Sequence, residues 1–117
     1  MFTNGPERIE ALERLKQERK FEEDIAHFYP GAPDEEIRAK AEGIINDTLT
    51  DLIKIPEQKM SEKEFWKILE TAARRLSKMD SEDIDRGLAY MEEIMDIYGI
   101  ESSEGRLNIW RYGFEPN

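Results

Sequence analysis

His27 is the single histidine of this 117-residue chain, and there is no cysteine. Nucleophilic or metal chemistry would therefore have to be built around one imidazole, or from carboxylates and hydroxyls alone. Asp24 and His27, spaced i, i+3, repeat the carboxylate-x-x-histidine ligand pair of di-iron helical bundles. Such bundles take a second pair from another helix, and this sequence has no second histidine to supply it. A Ser-His-acid triad would need His27 beside a distant serine, and no nucleophile-elbow pattern is present. Gly-rich phosphate loops, dinucleotide fingerprints and calcium-loop spacings are likewise missing from the sequence. Asp80, Glu82, Asp83 and Asp85 are close enough to suggest a Mg²⁺ cluster, but acids at a helix start complement the positive end of its dipole, which is the simpler origin. The expectation is a protein that is not an enzyme, with no catalytic residue, no cofactor and no metal ligand.

The distribution of charge is more informative. The net charge is −10, and charged residues make up 38% of the chain, against about 25% in an average domain. Between Asp80 and Glu104, nine acidic residues face one base, Arg86, a balance of −8 in 25 residues. On a helix, Glu82, Asp85, Ala89, Glu92 and Asp96 share one face, with Glu93 beside it. Glu82 and Asp85 suit a helix start. Glu92, Glu93 and Asp96 fall in the last two turns, where the dipole disfavours each by ~0.3–1 kcal/mol. Glu92 and Asp96 add an i, i+4 repulsion of ~0.2–0.5 kcal/mol. Choices that oppose local stability concentrate at functional surfaces, although an acidic protein can also simply solvate such a face.

These residues must be positioned by helices, because runs with period-two alternation and β-branched residues are absent. A first helix is expected from Pro6, behind Asn4, carrying Ile9, Leu12 and Leu15. Phe21, Ile25 and Phe28 follow at i, i+4, i+7, out of phase with Leu15, which predicts a kink or break near Glu18, or two helices. Tyr29-Pro30-Gly31-Ala32-Pro33 reads as a turn. A second helix is expected from Pro33, with Ile37, Ala41, Ile44, Ile45, Leu49, Leu52 and Ile53 as its stripe, ending at Pro56. Ser61 and Glu64 match a capping box, opening a third helix with Phe65, Ile68, Leu69, Ala72 and Leu76 inward and Trp66 beside them. The fourth begins at Asp80 or Ser81, buries Ile84, Leu88, Met91 and Met95, and ends at Gly99 in a left-handed cap. In the tail, Leu107, Trp110 and Phe114 suit a short helix capped by Ser102 or Ser103; the alternation of Asn108, Trp110, Tyr112 and Phe114 would also suit an extended segment. The whole chain, 1–117, reads as one all-α domain: a bundle of four main helices plus a short C-terminal helix or extended tail.

The run from Met91 to Gly105, containing Met95-Asp96-Ile97-Tyr98-Gly99-Ile100-Glu101-Ser102-Ser103, followed by Tyr112-Gly113-Phe114, resembles the C-terminal signature of a small bacterial domain-of-unknown-function family. The resemblance implies a bacterial source and a compact stand-alone domain. It implies no activity, since the family brings none.

Net acidity repels phosphate backbones and anionic lipid, so neither direct nucleic-acid nor membrane binding is expected. No window approaches the ~20 apolar residues of a membrane span, the N-terminus lacks signal-peptide character, and the cytoplasm is the default location. The function these features favour is a non-enzymatic acidic binding protein, most plausibly an immunity or inhibitor protein that neutralises a basic toxin or nuclease. Its expected surface comprises Glu82, Asp85, Glu92, Glu93 and Asp96, with Tyr98, Trp110 and Tyr112 as aromatic anchors. The competing expectation is a regulatory or structural adaptor that dimerises through a helix face bearing Trp66, Tyr90 and Trp110; the oligomeric state is open.

Overall fold

Prolines, glycines and caps cut the chain into the helices of the computed structural model, which describes residues 4–55 and 60–113. Helix α1 (Pro6–Gln17) carries Pro6 at its first position, where a missing N–H costs nothing, and stops at extended Glu18. Asn4, expected only to precede this helix, is buried and pins it. Its Nδ2 donates to the carbonyls of Leu52 (2.7 Å) and Ile55 (3.0 Å), and its Oδ1 accepts from the Tyr98 hydroxyl (2.9 Å).

Helix α2 (Glu35–Lys54) starts two residues later than its sequence suggests. Asp34, not a residue ahead of Pro33, is the cap, and its carboxylate accepts from the Ile37 N–H. Ala41, Ile44, Ile45, Leu49 and Leu52 are buried as the spacing predicts. Pro56, the expected terminator, lies outside the described residues; the helix gives way at Ile55, which is already extended. Helix α3 (Glu62–Leu76) opens with the full capping box between Ser61 and Glu64 and buries Phe65, Trp66, Leu69, Ala72, Ala73 and Leu76. Helix α4 (Ser81–Ile97) follows a short turn. Gly99, at φ 72°, ends it as expected, with the Ile100 N–H bonded back to the Met95 carbonyl at 2.9 Å. The tail resolves as helix α5 (Arg106–Tyr112) rather than an extended segment. Ser103 Oγ accepts from the Leu107 N–H, while Gly105, at φ 87°, makes the turn into it. Phe114 lies outside the described residues.

Helices α1 to α4 pack each on the next, α4 also touches α1 and α2, and α5 lies across α3 and α4. The fold is all-α. One core joins all five helices, running from Leu12 and Leu15 through Ile45, Leu49 and Leu52 to Phe65, Leu69, Met91, Ile94 and Trp110.

Residues 18–34 correct the helical reading of Phe21, Ile25 and Phe28. The segment is an irregular loop, closed by an antiparallel bridge between Asp24 and Tyr29 and holding one 3-10 turn, Ile25–His27. Phe21 and Phe28 take positive φ (63° and 55°), which a helix cannot accommodate. Tertiary bonds hold the loop open. The Tyr90 hydroxyl accepts from the Phe21 N–H (3.0 Å), and Arg38 donates to the Lys20 carbonyl (2.9 Å). Buried Lys20 turns its ammonium onto the Lys16 and Glu18 carbonyls that α1 leaves free.

Candidate functional site

The outer face of α4 exists because its inner face is seated very tightly. A Cβ on Gly87 would lie 2.4 Å from Leu76 Cδ1 on α3, so this mid-helix glycine lets the two helices approach, and the Ile84-Leu88-Met91-Met95 stripe turns inward. The opposite stripe follows by helical geometry. Glu82, Asp85, Glu92, Glu93 and Asp96 are all exposed, and half-exposed Ala89 sits midway along them.

Their electrostatic situations differ. Asp85 pairs with Arg111 of α5. Glu92, Glu93 and Asp96 make no ion pair with any described residue. The arginines around the fold are engaged elsewhere: Arg14 with Glu10, Arg19 with Glu22 and Glu35, Arg38 with Glu35 and Glu42, Arg75 with Asp47, and Arg86 with Asp24. Glu93 and Asp96 line a groove of about 240 Å³ against α1, with Glu18 and Arg14, the latter paired to Glu10, on the facing side. Although Glu93 is exposed as a residue, desolvation of its carboxyl against α1 pushes its pKa above the ordinary value, and Glu18 pushes the same way. Arg86 and Lys20 oppose them only in part. The Glu93 carboxyl is thus held where burial and Glu18 resist its charge.

Beside the other end of this face stands the 18–34 loop. Asp24 and Tyr29 exchange backbone bonds of 2.8 and 3.0 Å. Below them, the Tyr29 hydroxyl donates to Asp83 Oδ1 at 2.7 Å, and Arg86 reaches Asp24 Oδ2 at 3.0 Å while lying over the rings of Tyr29 and Tyr90. Burial, then the Asp83 carboxylate, push the Tyr29 phenol well above its usual pKa. Asp83, grouped by sequence with the solvent-facing acids of the helix start, is 2% exposed and serves this bond instead. Asp24 and His27 do meet, at 2.9 Å, with His27 in solvent; the contact orients the loop. Among the described residues no group of three or more histidines or acids is placed to hold a metal, and no described helix is long and apolar enough to cross a membrane.

Of the aromatic anchors expected from sequence, Tyr112 is 73% exposed and stacks on Arg111. Tyr98 (4% exposed) and Trp110 (8%) are core residues. Tyr98 packs on Phe65, and Trp110 meets Trp66 edge-on; neither lies on the outer face. Trp66 and Tyr90, expected on a dimer face, are also buried. Sequence reasoning missed Ile25 and Phe28, which project into solvent. Their helical spacing argued for burial; Ile25 and Phe28, the latter at φ 55°, stand instead on the solvent side of the loop.

A family model described as a domain of unknown function, DUF4844, matches residues 3–115. The crystal structure of a DUF3571 family protein from Acinetobacter baumannii AYE is similar, at 31% sequence identity and a TM-score of 0.79, over 91% of this chain and 89% of that one. No curated protein matches the chain.

Proposed function

The chain belongs to the DUF4844 family, and from that premise we propose that it is a non-enzymatic acidic binding protein of the cytoplasm. Its role is that of an immunity or inhibitor protein, which docks the outer face of α4 onto a basic toxin or nuclease. The observation that carries this reading is the exposed ridge of Glu92, Glu93 and Asp96, unpaired among the described residues while neighbouring acids are matched to arginines. A carboxylate ridge of this kind steers a cationic protein into encounter and fixes its register. Glu82 extends the ridge toward the start of α4, and Tyr112 stands near Asp85 through Arg111. The binding mode suits a partner that itself acts on a polyanion, because the carboxylates occupy the cationic surface such a partner uses.

The test is recovery of partners from the native host at low salt, with the wild type compared against Glu92→Lys/Glu93→Lys/Asp96→Lys. The reading expects a basic protein bound by the wild type, released by salt and absent with the variant. Equal recovery by both, or recovery of neutral and acidic partners alone, refutes it.

A further inference from the structure

Phe28 is 93% exposed and Ile25 77% exposed, although both stand on a loop held rigidly from below. Phe28 adopts left-handed backbone, a conformation that costs a non-glycine residue about 1 kcal/mol or more. The Asp24–Tyr29 bridge, the Tyr29–Asp83 hydrogen bond and the Asp24–Arg86 ion pair all enforce it. Rigid, solvent-exposed aromatics of this kind lose little entropy on binding and act as anchors. Phe28 overhangs a cleft of about 230 Å³ whose floor is α4, from Glu82 and Asp85 to Ala89.

We propose that Phe28 and Ala89 form an apolar seat that receives a cationic amphipathic helix of a partner protein, laid along the outer face of α4. The inference rests on the ridge reading above and names what the ridge binds. Charge decides the occupant. On the loop side of the face, Asp24 is matched by Arg86 and Asp85 by Arg111, whereas Ala89 is followed one turn on by exposed, unmatched Glu92 and Glu93. The unpaired acids lie at the two ends, Glu82 on one side and Glu92, Glu93 and Asp96 on the other. A helix as long as the 17-residue α4 spans about 25 Å. Such a helix would set apolar side chains at i, i+3 and i+4 on Phe28 and Ala89 and lysines or arginines on both acidic ends. A second copy of this chain is disfavoured, because it would bring two like-charged ridges together at −10 per chain.

The probe is a synthetic amphipathic helix of leucine and lysine, beside a control peptide of equal charge with serine in place of leucine. Fluorescence anisotropy at low and high salt would compare the wild type with Phe28→Ser and Glu92→Gln/Glu93→Gln/Asp96→Asn. Phe28→Gly joins the set because glycine suits the positive φ, so weak binding by that variant is not a folding defect. The expected result is that Phe28→Ser and Phe28→Gly each weaken leucine-lysine binding by about 30-fold and keep its salt dependence, whereas the ridge variant loses the salt dependence. Phe28 variants that bind like the wild type, or equal binding of both peptides, overturn the apolar seat. Loss with Phe28→Gly but none with the ridge variant keeps the seat and removes the ridge reading. Sedimentation showing a wild-type dimer that Phe28→Gly splits assigns the seat to a second copy and overturns the proposal.

Discussion

Neutralising the ridge should make the protein more stable. In Glu92→Gln/Glu93→Gln/Asp96→Asn the side chains keep their size and exposure, so the change is electrostatic. Glu92 and Asp96 are i, i+4, and Glu93 and Asp96 are i, i+3; each like-charge pair costs ~0.2–0.5 kcal/mol. Asp96 stands in the last turn of α4, where the dipole adds ~0.3–1 kcal/mol. The partial attraction of Glu93 to Arg86 and Lys20 is lost and offsets some of the gain. The net is about 1 kcal/mol, equivalent to a Tm increase of roughly 4 °C for a domain of this size. Thermal unfolding followed by far-UV circular dichroism at low ionic strength measures it. The same comparison at about 1 M salt, where the screening length is ~3 Å, should erase the difference. A triple variant that melts at or below the wild-type temperature at low salt refutes the argument, since the acids would then be serving the fold.

Further predictions concern the supports of the site. Tyr29→Phe removes the donor to buried Asp83 and keeps the ring under Arg86; it should cost about 1.5–3 kcal/mol, read as a lower urea midpoint, and should speed amide exchange in residues 24–29. Asn4→Ala deletes three hydrogen bonds, two of them buried, linking the start of α1 to the end of α2 and to Tyr98, and should cost about 2–4 kcal/mol by the same measurement. Acid should loosen the loop anchored on α2. The Arg38 hydrogen bond holds the Glu35 carboxyl down to about 2, and Glu42 is also held below its usual value, because the Lys20 N–H and Arg38 outweigh the upward push of burial. Both carboxyls are depressed in the folded chain, so their contribution is intact above pH 4.5 and disappears as pH falls from there toward 2. The urea midpoint should drop across that window and drop less in Arg38→Met.

The helices were legible because their ends carry local chemistry. Ser61 with Glu64, Gly99 with Ile100, and Pro6 act through bonds or steric limits within a few residues, and each appears where its neighbours demand. The stripe of Glu82, Asp85, Ala89, Glu92 and Asp96 was legible for the same reason, since a 3.6-residue period places it opposite the core stripe. The 18–34 loop was not. Its conformation is imposed from a distance, by Tyr90 on Phe21, Arg38 on Lys20 and Arg86 on Asp24, so the i, i+4, i+7 spacing of Phe21, Ile25 and Phe28 was a coincidence that long-range bonds overrode. Asp83 was misplaced on similar grounds. An acid in the first turn of a helix has a sufficient local explanation, and only the folded position of Tyr29 reveals another use. The amphipathic side chains of Tyr98 and Trp110 suit a surface anchor or a core rim alike; packing on Phe65 and Trp66 decides for the core.

The most direct test is to map where a featureless polycation settles on this surface. Isotope-labelled protein titrated with poly-arginine at low salt, and followed through backbone amide and side-chain carboxyl resonances, reports each acid separately. The account predicts the largest shifts at Glu92, Glu93 and Asp96, with Glu82 next and all of them reversed by salt. Shifts spread evenly over the exposed acids, or greatest on α1 and α2, would contradict it.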